Sequence, residues 1–430
     1  MQYLDRYAEP EASLAGGMRG RFAHVLTIPA YGEGSALLDT LASVPAGSLG
    51  DVLTIVVVNG RVDSARSVRA ANLAVLERLR SAFGSGEALA KGARLTGHPR
   101  GALLLIDRAT PGRELPPRQG VGLARKIAAD VALALWSAGS VQSPWIHCTD
   151  ADVNLPVDYF APAARLSGAA ALVYPFRHVE DPDEERRRNA LEYEIALRYY
   201  VAGLRYAGSP YAFHTIGSTI AIHTIAYSQV RGFPRRLAAE DFYLLNKLAK
   251  VGPVKALSGE PIRLSARIST RTPFGTGRAL GRAQQRDRSR EPLLLYHPDV
   301  FLYVGVWLRT LDALASSAAI TELDALFEER AAASPGLDTE LLREALAETG
   351  AWNAAETGAE RRRAPEVLAK HLHDSFDGAR TLKLIHALRA RSLGSIPLSD
   401  ALTAAPFLRW ERSGDLEAVR DELAASQEPE

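Results

Sequence analysis

The sequence has little of several features that would narrow a protein's function at once. It contains one cysteine, Cys148, which excludes an internal disulfide framework and a zinc site built from cysteines. Its 51 lysines and arginines balance 50 aspartates and glutamates, so its overall charge does not indicate nucleic acid as a partner. Its longest apolar stretches are too short or carry charges, so we expect no transmembrane segment.

The first residues show no signal-peptide pattern, so we expect a cytoplasmic protein. Peripheral attachment to the inner face of a membrane stays compatible with this composition. The oligomeric state is left open, because nothing in the sequence bears on it.

A short apolar strand that ends in two carboxylates is the most informative stretch. Trp145–Cys148 leads directly to Asp150 and Asp152. Residues two apart in extended backbone face the same side, so both carboxylates can reach one site. Such a site suits Mg²⁺ or Mn²⁺ carrying a substrate phosphate. The spacing alone is weak evidence, because Asp181 and Asp183 repeat it within a charged run typical of a solvated loop.

The order of elements predicts an α/β fold. The predicted strands are apolar or β-branched runs at His24–Ile28, Val52–Val58, Leu103–Asp107 and Trp145–Cys148. Helical patterns lie between them, which indicates an open, mostly parallel sheet flanked by helices. Ligands of such sheets bind outside the carboxyl ends of the strands, so Asn59, after the second strand, becomes a candidate binding residue.

The chain changes character after the sheet region. From about residue 298 it is rich in alanine, leucine, glutamate and arginine at helical spacing. We predict a sheet domain over 1–297, with a nucleotide-binding half at about 22–152 and an acceptor half at about 153–297. Residues 298–430 are predicted to form a helical C-terminal region.

Two further motifs have both a chemical and a structural interpretation. Gly120 and Gly122 open a helix that carries Arg125 and Lys126, and a helix start favours anions. A plain loop-to-helix junction would explain the same pattern. Glu240-Asp241 begins a later helix; a carboxylate there could take a proton from a hydroxyl, or simply complement the helix dipole.

A basic loop supplies the last candidates. Arg267 and Arg271 share a face of an extended segment, where they could hold a diphosphate or an anionic acceptor. A solvated surface loop is the alternative interpretation. His297 follows this loop and is the histidine to consider as a further metal ligand.

Taken in order, these motifs resemble those of the family 2 glycosyltransferases of the GT-A fold. Pro29-Ala30-Tyr31-Gly32-Glu33 is similar to the signature after that family's first strand, and Gly120–Lys126 to its Gly-x-x-x-Ala-Arg-Asn segment. Asp150-Ala151-Asp152 matches its Asp-x-Asp. Gly232-Phe233 through Glu240-Asp241 resembles its Gly-Phe and Glu-Asp segment. The match covers about residues 22–280, and Asn59-Gly60 departs from the family's Asp-Asp-Gly-Ser.

The resemblance implies a metal-dependent transfer of a sugar from a UDP- or GDP-sugar to an acceptor hydroxyl whose identity the motifs leave open. The implied donor-binding residues are Pro29, Ala30, Tyr31, Glu33, Asn59, Arg125, Lys126 and Asp150. Asp150 and Asp152 would hold the metal, Arg267 and Arg271 the diphosphate or acceptor. Asp241, beside Glu240, would be the base in an inverting reaction of the hexosyltransferase class.

Three alternatives stay open. A retaining glycosyltransferase of the same fold could use His297 as a metal ligand. A nucleotidyltransferase has a similar sheet, but its glycine-rich loop after the first strand is replaced here by Pro29-Ala30-Tyr31. A catalytically idle module that binds sugars or nucleotides is the third alternative, with the helical region as its partner surface.

Overall fold

A computed structural model describes residues 2–47, 50–179, 181–266, 292–317, 323–360, 364–410 and 415–427 of the 430-residue chain. The described residues form two compact units. The first lies within Met1–Ala190 and Thr215–Gln284, and the second within Leu191–His214 and Gln285–Gln427. The predicted Arg267 and Arg271 lie outside the described residues.

Nine of the described strands in the first unit form one mixed sheet. Its order is β11-β8-β10-β6-β1-β2-β5-β4-β3. The strands are β1 (His24–Ala30), β2 (Val52–Asn59), β3 (Glu87–Ala90), β4 (Ala93–His98), β5 (Gly101–Arg108), β6 (Trp145–Cys148), β8 (Ala171–Val173), β10 (Ile220–His223) and β11 (Val254–Ala256). A second sheet joins β7 (Val153–Asn154), β12 (Ile262–Leu264) and β9 (Phe176–His178).

The centre of the large sheet is parallel, and this arrangement brings several strand ends together. β6, β1, β2 and β5 pair in parallel, so their carboxyl ends meet at one edge. Every residue of β1 and β2 is buried, as expected for apolar strands covered on both faces. β10 runs antiparallel between β6 and β8, which makes the sheet mixed.

The helices of the first unit are α1 (Gln2–Arg6), a 3₁₀ helix (Pro10–Gly17), α2 (Ala36–Ser43), α3 (Arg66–Phe83), α4 (Val121–Ser137), α5 (Ala161–Ala164), α7 (Thr224–Gln229) and α8 (Glu240–Leu248). α6 (Glu184–Tyr206) contains the boundary between the two units. α4 is buried continuously over Gly122–Leu135. Even its two neighbouring cations, Arg125 and Lys126, are therefore removed from solvent.

The second unit is mainly helical. Its further helices are Asp299–Ser316, Leu323–Ala332, Thr339–Glu348, Ala351–Glu360, Pro365–Ser375, Gly378–Arg391, Leu398–Ala404 and Leu416–Ala425. A small antiparallel pair joins Leu294–Leu295 to Ile396–Pro397. Its core contains the fully buried Trp307, Phe301 and Phe327, so this unit has an apolar interior of its own.

The predicted fold class is confirmed, with a mostly parallel central sheet, flanking helices and a helical C-terminal region. The hairpin β3–β4 was not predicted, because its edge strands are short and lack an alternating apolar pattern. α8 begins at Glu240 as predicted, directly after Ala239, which has a left-handed φ of 60°. The boundary near residue 297 stays a prediction, and the second unit also includes Leu191–His214.

Among the described residues, the structure contains no helix whose length and apolar character would suffice to cross a bilayer.

Candidate active site

A buried asparagine connects the loop that follows β1 with the last residue of β2. Asn72 of α3 accepts a hydrogen bond from the Gly32 amide (2.7 Å) and donates one to the Asn59 carbonyl (3.0 Å). Gly32 has a φ of 64°, a conformation that favours glycine. Nothing in the sequence singled out Asn72. The one available signal was a residue of low helix propensity within an amphipathic helix.

The predicted donor residues surround this connection. Pro29 and Ala30 end β1 with buried side chains, so they can offer mainly backbone atoms to a ligand. The Tyr31 hydroxyl lies 3.1 Å from Ser64 Oγ, which holds the ring partly exposed. Glu33 is 8% exposed. Among the described residues, no donor reaches the buried Oδ1 of Asn59.

Arg125 is the centre of the carboxylate cluster. Its guanidinium donates from Nε to Glu240 (3.0 Å), from Nη1 to the Thr149 carbonyl (3.3 Å) and from Nη2 to Asp150 (2.5 Å). Burial by itself would lower the pKa of Arg125, but the carboxylates of Asp150 and Glu240 raise it, so the cation is retained. One buried cation thus joins the end of β6 to the start of α8.

Gly217 gives this guanidinium its space. A Cβ atom at Gly217 would lie 2.6 Å from Arg125 Nη2, and the guanidinium is already held by three hydrogen bonds. The Gly217 amide in turn donates to Asp241 Oδ2 (2.8 Å). The loop before β10 therefore requires glycine here, because its backbone contacts both the cation and the predicted base.

Asp241 has an unusually high pKa for an aspartate. Burial, and then the neighbouring Glu240 carboxylate, raise the pKa of Asp241 to about 7. Arg125 and the amides of Phe242 and Gly217 oppose this rise. A carboxylate with a pKa near neutrality is a stronger base than an ordinary aspartate and is still partly ionised at pH 7.

The donor set fits a divalent cation that is completed by substrate. Asp150 is 40% exposed and, among the described residues, only its Oδ1 has a donor, from Arg125. Asp152 is also partly exposed, two residues further along. No group of three ligating His, Cys, Asp or Glu side chains occurs in the described part of the chain. Two carboxylates with phosphate and water as further ligands are a usual arrangement for Mg²⁺.

The other Asp-x-Asp sequence has a different local role. Asp183 accepts a hydrogen bond from the Arg186 amide (2.9 Å) at the start of α6, and Asp181 pairs with the Arg186 guanidinium (3.0 Å). Both carboxylates thus organise an exposed helix start. This agrees with the interpretation of that run as a solvated segment.

Lys126 belongs to a separate, sealed cluster. Its Nζ donates to Asp130 (2.9 Å) and to the Tyr3 hydroxyl (2.6 Å). Asp130 is fully buried and also accepts hydrogen bonds from the Tyr227 hydroxyl and the Glu9 amide. The structure therefore does not bring Lys126 to the carboxylates around Arg125, and its predicted contact with a nucleotide stays a prediction.

The glycines at the start of α4 approach the chain itself. A Cβ at Gly122 would lie 2.3 Å from the Pro234 carbonyl, and the Gly122 amide donates to the Arg236 carbonyl (3.1 Å). This contact fixes the turn that precedes α8. The glycine pattern is thus explained by close packing of two backbone segments.

His297, in the second unit, lies 3.5 Å from Asp299.

Comparison with known proteins finds similar solved structures and no related sequence. No protein-family model matches the chain, and neither does any curated protein. One similar solved structure is TarS 1-349 of S. aureus in complex with UDP-GlcNAc, with a TM-score of 0.37 and 13% identity, covering 82% of this chain and 89% of that one. Another is the mannosyltransferase PcManGT from Pyrobaculum calidifontis in complex with GDP-Man and Mn²⁺, with a TM-score of 0.33 and 16% identity, covering 87% and 90%. Values this low assign no roles to residues of this chain.

Proposed function

We propose that this protein is a glycosyltransferase that moves a sugar from a nucleotide-sugar donor to an acceptor hydroxyl, with inversion at the anomeric carbon. The observation that carries the proposal is the bridge made by Arg125 between Asp150 and Glu240. It joins a strand end suited to a metal–diphosphate with a helix start that carries Asp241. A donor and an acceptor need such adjacent sites for direct transfer.

Asp241 acts as the general base. In its ionised form the carboxylate takes the proton of the acceptor hydroxyl while the hydroxyl oxygen forms the bond to the anomeric carbon. The bond from that carbon to the diphosphate breaks, and its electron pair leaves with the diphosphate. The raised pKa supports this role, because a base is most effective when its pKa lies near the working pH.

The donor would be held by the strand ends. Asn59 and the loop carrying Tyr31 and Glu33 are proposed to hold the nucleoside of a UDP- or GDP-sugar. Asp150 and Asp152 would hold Mg²⁺ or Mn²⁺, which offsets charge on the leaving diphosphate when bound. Arg125 orients Asp150 for this purpose and supplies a fixed positive charge beside it.

Turnover of a panel of UDP- and GDP-sugars with Mn²⁺ tests the proposal. We expect Asp241→Asn to lower turnover by about 10²–10⁴, the usual contribution of a general base, with little change in donor affinity. Asp152→Ala should instead weaken binding of the donor together with the metal. Asp183→Asn is the matched control, because Asp183 belongs to the exposed copy of the same spacing.

The possible outcomes separate the alternatives. Full activity of both Asp241→Asn and Asp152→Ala would reject the proposed site. Pyrophosphate release from a nucleoside triphosphate would indicate a nucleotidyltransferase. The anomeric configuration of the product, determined by NMR, decides between inversion and retention.

A further inference from the structure

A cavity of about 370 Å³ lies on the first unit, and none of the carboxylates around Arg125 lines it. Its walls are α3, the hairpin β3–β4 and the end of β5. None of the residues that line it is among those proposed above to bind donor, metal or acceptor. Its volume falls in the range of about 300–1,000 Å³ that is common for small-molecule sites.

The charge of this cavity is strongly one-sided. Four cationic side chains line it: Arg80, which pairs with Glu77, and Lys91, Arg94 and Arg113. Asp107 is the one carboxylate among the lining residues. Burial by itself would raise the pKa of Asp107. Hydrogen bonds from the Thr110 side chain and from the amides of Thr110 and Ala109, together with the charge of Arg113, lower it overall. Asp107 is thus an ionised group that already has its own donors.

The cations retain donors for a ligand. Arg113 bonds Asp107 through Nη1 (2.7 Å), and Arg94 bonds the Ser85 and Gly86 carbonyls through its Nη1. An arginine has five N–H donors, so most of those on both guanidinium groups have no acceptor among the described residues. Lys91 is exposed and has no ion-pair partner among the described residues.

The turn between β3 and β4 makes this convergence possible. Gly92 has a φ of 87°, and a Cβ there would lie 3.3 Å from both Arg113 and the Asp107 carbonyl. The Asp107 amide donates to the Gly92 carbonyl (2.7 Å). The hairpin is therefore held against β5, with Lys91 and Arg94 on the same cavity as Arg113.

We propose that this cavity binds a phosphate group, either free or carried on a small organic molecule. Arginines in a fixed geometry with a lysine nearby are the residues that proteins use for phosphate oxygens. This proposal does not rest on the proposed glycosyltransferase reaction. It remains testable whether or not Asp241 acts as a base.

Isothermal titration with inorganic phosphate and with glucose 6-phosphate tests the site, against sodium chloride at equal ionic strength. We expect saturable binding that weakens at least about tenfold in the double variant Lys91→Gln/Arg94→Gln, as for loss of one charge-assisted hydrogen bond. The ligand that binds more tightly shows whether the site takes free or esterified phosphate. Lys91→Gln alone, at an exposed position, keeps the test valid should the double variant not fold.

Two controls complete the experiment. Lys255→Gln removes an exposed cation on β11, at the opposite edge of the large sheet, and should leave phosphate binding unchanged. Asp152→Ala should also leave it unchanged, since that residue belongs to the proposed donor site. Equal binding in wild type and both Lys91 variants, or the same response to chloride, would overturn the proposal.

Discussion

Two neighbouring cations on α4 enter two clusters of opposite character. Arg125 pairs with Asp150, whose carboxylate is 40% exposed, and with Glu240 at the edge of the sheet. Lys126, the next residue, pairs with the fully buried Asp130. The first cluster includes a carboxylate with a raised pKa and keeps one carboxylate oxygen without a donor from the described residues. The second satisfies its carboxylate with four donors.

The difference in exposure between the two clusters indicates a binding role for the cluster around Arg125 and a structural role for the cluster around Lys126. Successive residues of a helix point about 100° apart, so adjacent cations reach different surroundings. The cluster around Arg125 includes the partly exposed carboxylate of Asp150, which could accept a further ligand. The cluster around Lys126 joins residues 3 and 9 of the N-terminal segment to α4 and α7, and its polar groups bond one another.

Removing the charge of Asp130 should have the largest effect on stability. Asp130→Asn leaves Lys126 as a buried cation without its partner, and we expect the free energy of unfolding to fall by about 3–5 kcal/mol. Urea unfolding measures it. The matched control is Asp374→Asn, since Lys370 and Asp374 form an exposed pair with the same i,i+4 spacing. That change should cost about 0.3–0.5 kcal/mol. Equal effects of the two variants would refute the structural role.

Filling the space at Gly217 should disturb the other cluster. Gly217→Ala displaces the guanidinium of Arg125, and we expect activity to fall by about 10–100-fold, because misplaced catalytic geometry is costly. Weaker attraction from Arg125 should also shift the pH profile upward, because Arg125 lowers the pKa of Asp241. Gly97→Ala is the control, since a Cβ there meets nothing within 4 Å. An unchanged profile would show that Arg125 does not act on Asp241.

The pH dependence of activity and of stability should report on the cluster around Arg125 through Asp241. With a pKa of about 7 for Asp241, kcat/KM should fall about tenfold per pH unit below 7 and level off above it. Stability follows the opposite trend. Folding raises the pKa of Asp241 from its ordinary value of 3.8 to about 7. Its stabilising contribution is therefore complete below pH 3.8 and is lost as the pH rises to about 7. Asp241→Asn should remove both dependences; their persistence would assign them to another group.

Tyr3→Phe should produce the smallest change. It removes one of the four donors to Asp130 and the acceptor for Lys126, and we expect a loss of about 1 kcal/mol in the free energy of unfolding. Donor affinity and the pH profile should stay unchanged, because the sealed cluster does not contact Asp241. A shifted pH profile in this variant would show that the two clusters are coupled.

Much of the fold was predictable because its signals are local. The continuous β-branched run of β2 and the apolar strand β6 indicate buried parallel strands by composition alone. The hairpin β3–β4 lacked such a signal. The site was predictable to the extent that its residues follow strand ends or begin helices. The roles of Asn72 and Gly217 could not be predicted locally, because they depend on partners 40 and 92 residues away along the chain.

By itself, the sequence determined the alternation of strands and helices, and with it the edge where Asp150 and Asp152 lie. Periodicity and burial are properties of short segments, so they can be recognised in the chain. Only the tertiary structure decided that Arg125 faces the carboxylates while Lys126 is sealed beneath Tyr3. These different surroundings depend on how α4 is oriented by its packing against elements that are distant in the sequence. The same packing explains why the glycines before α4 contact the turn at Pro234–Arg236.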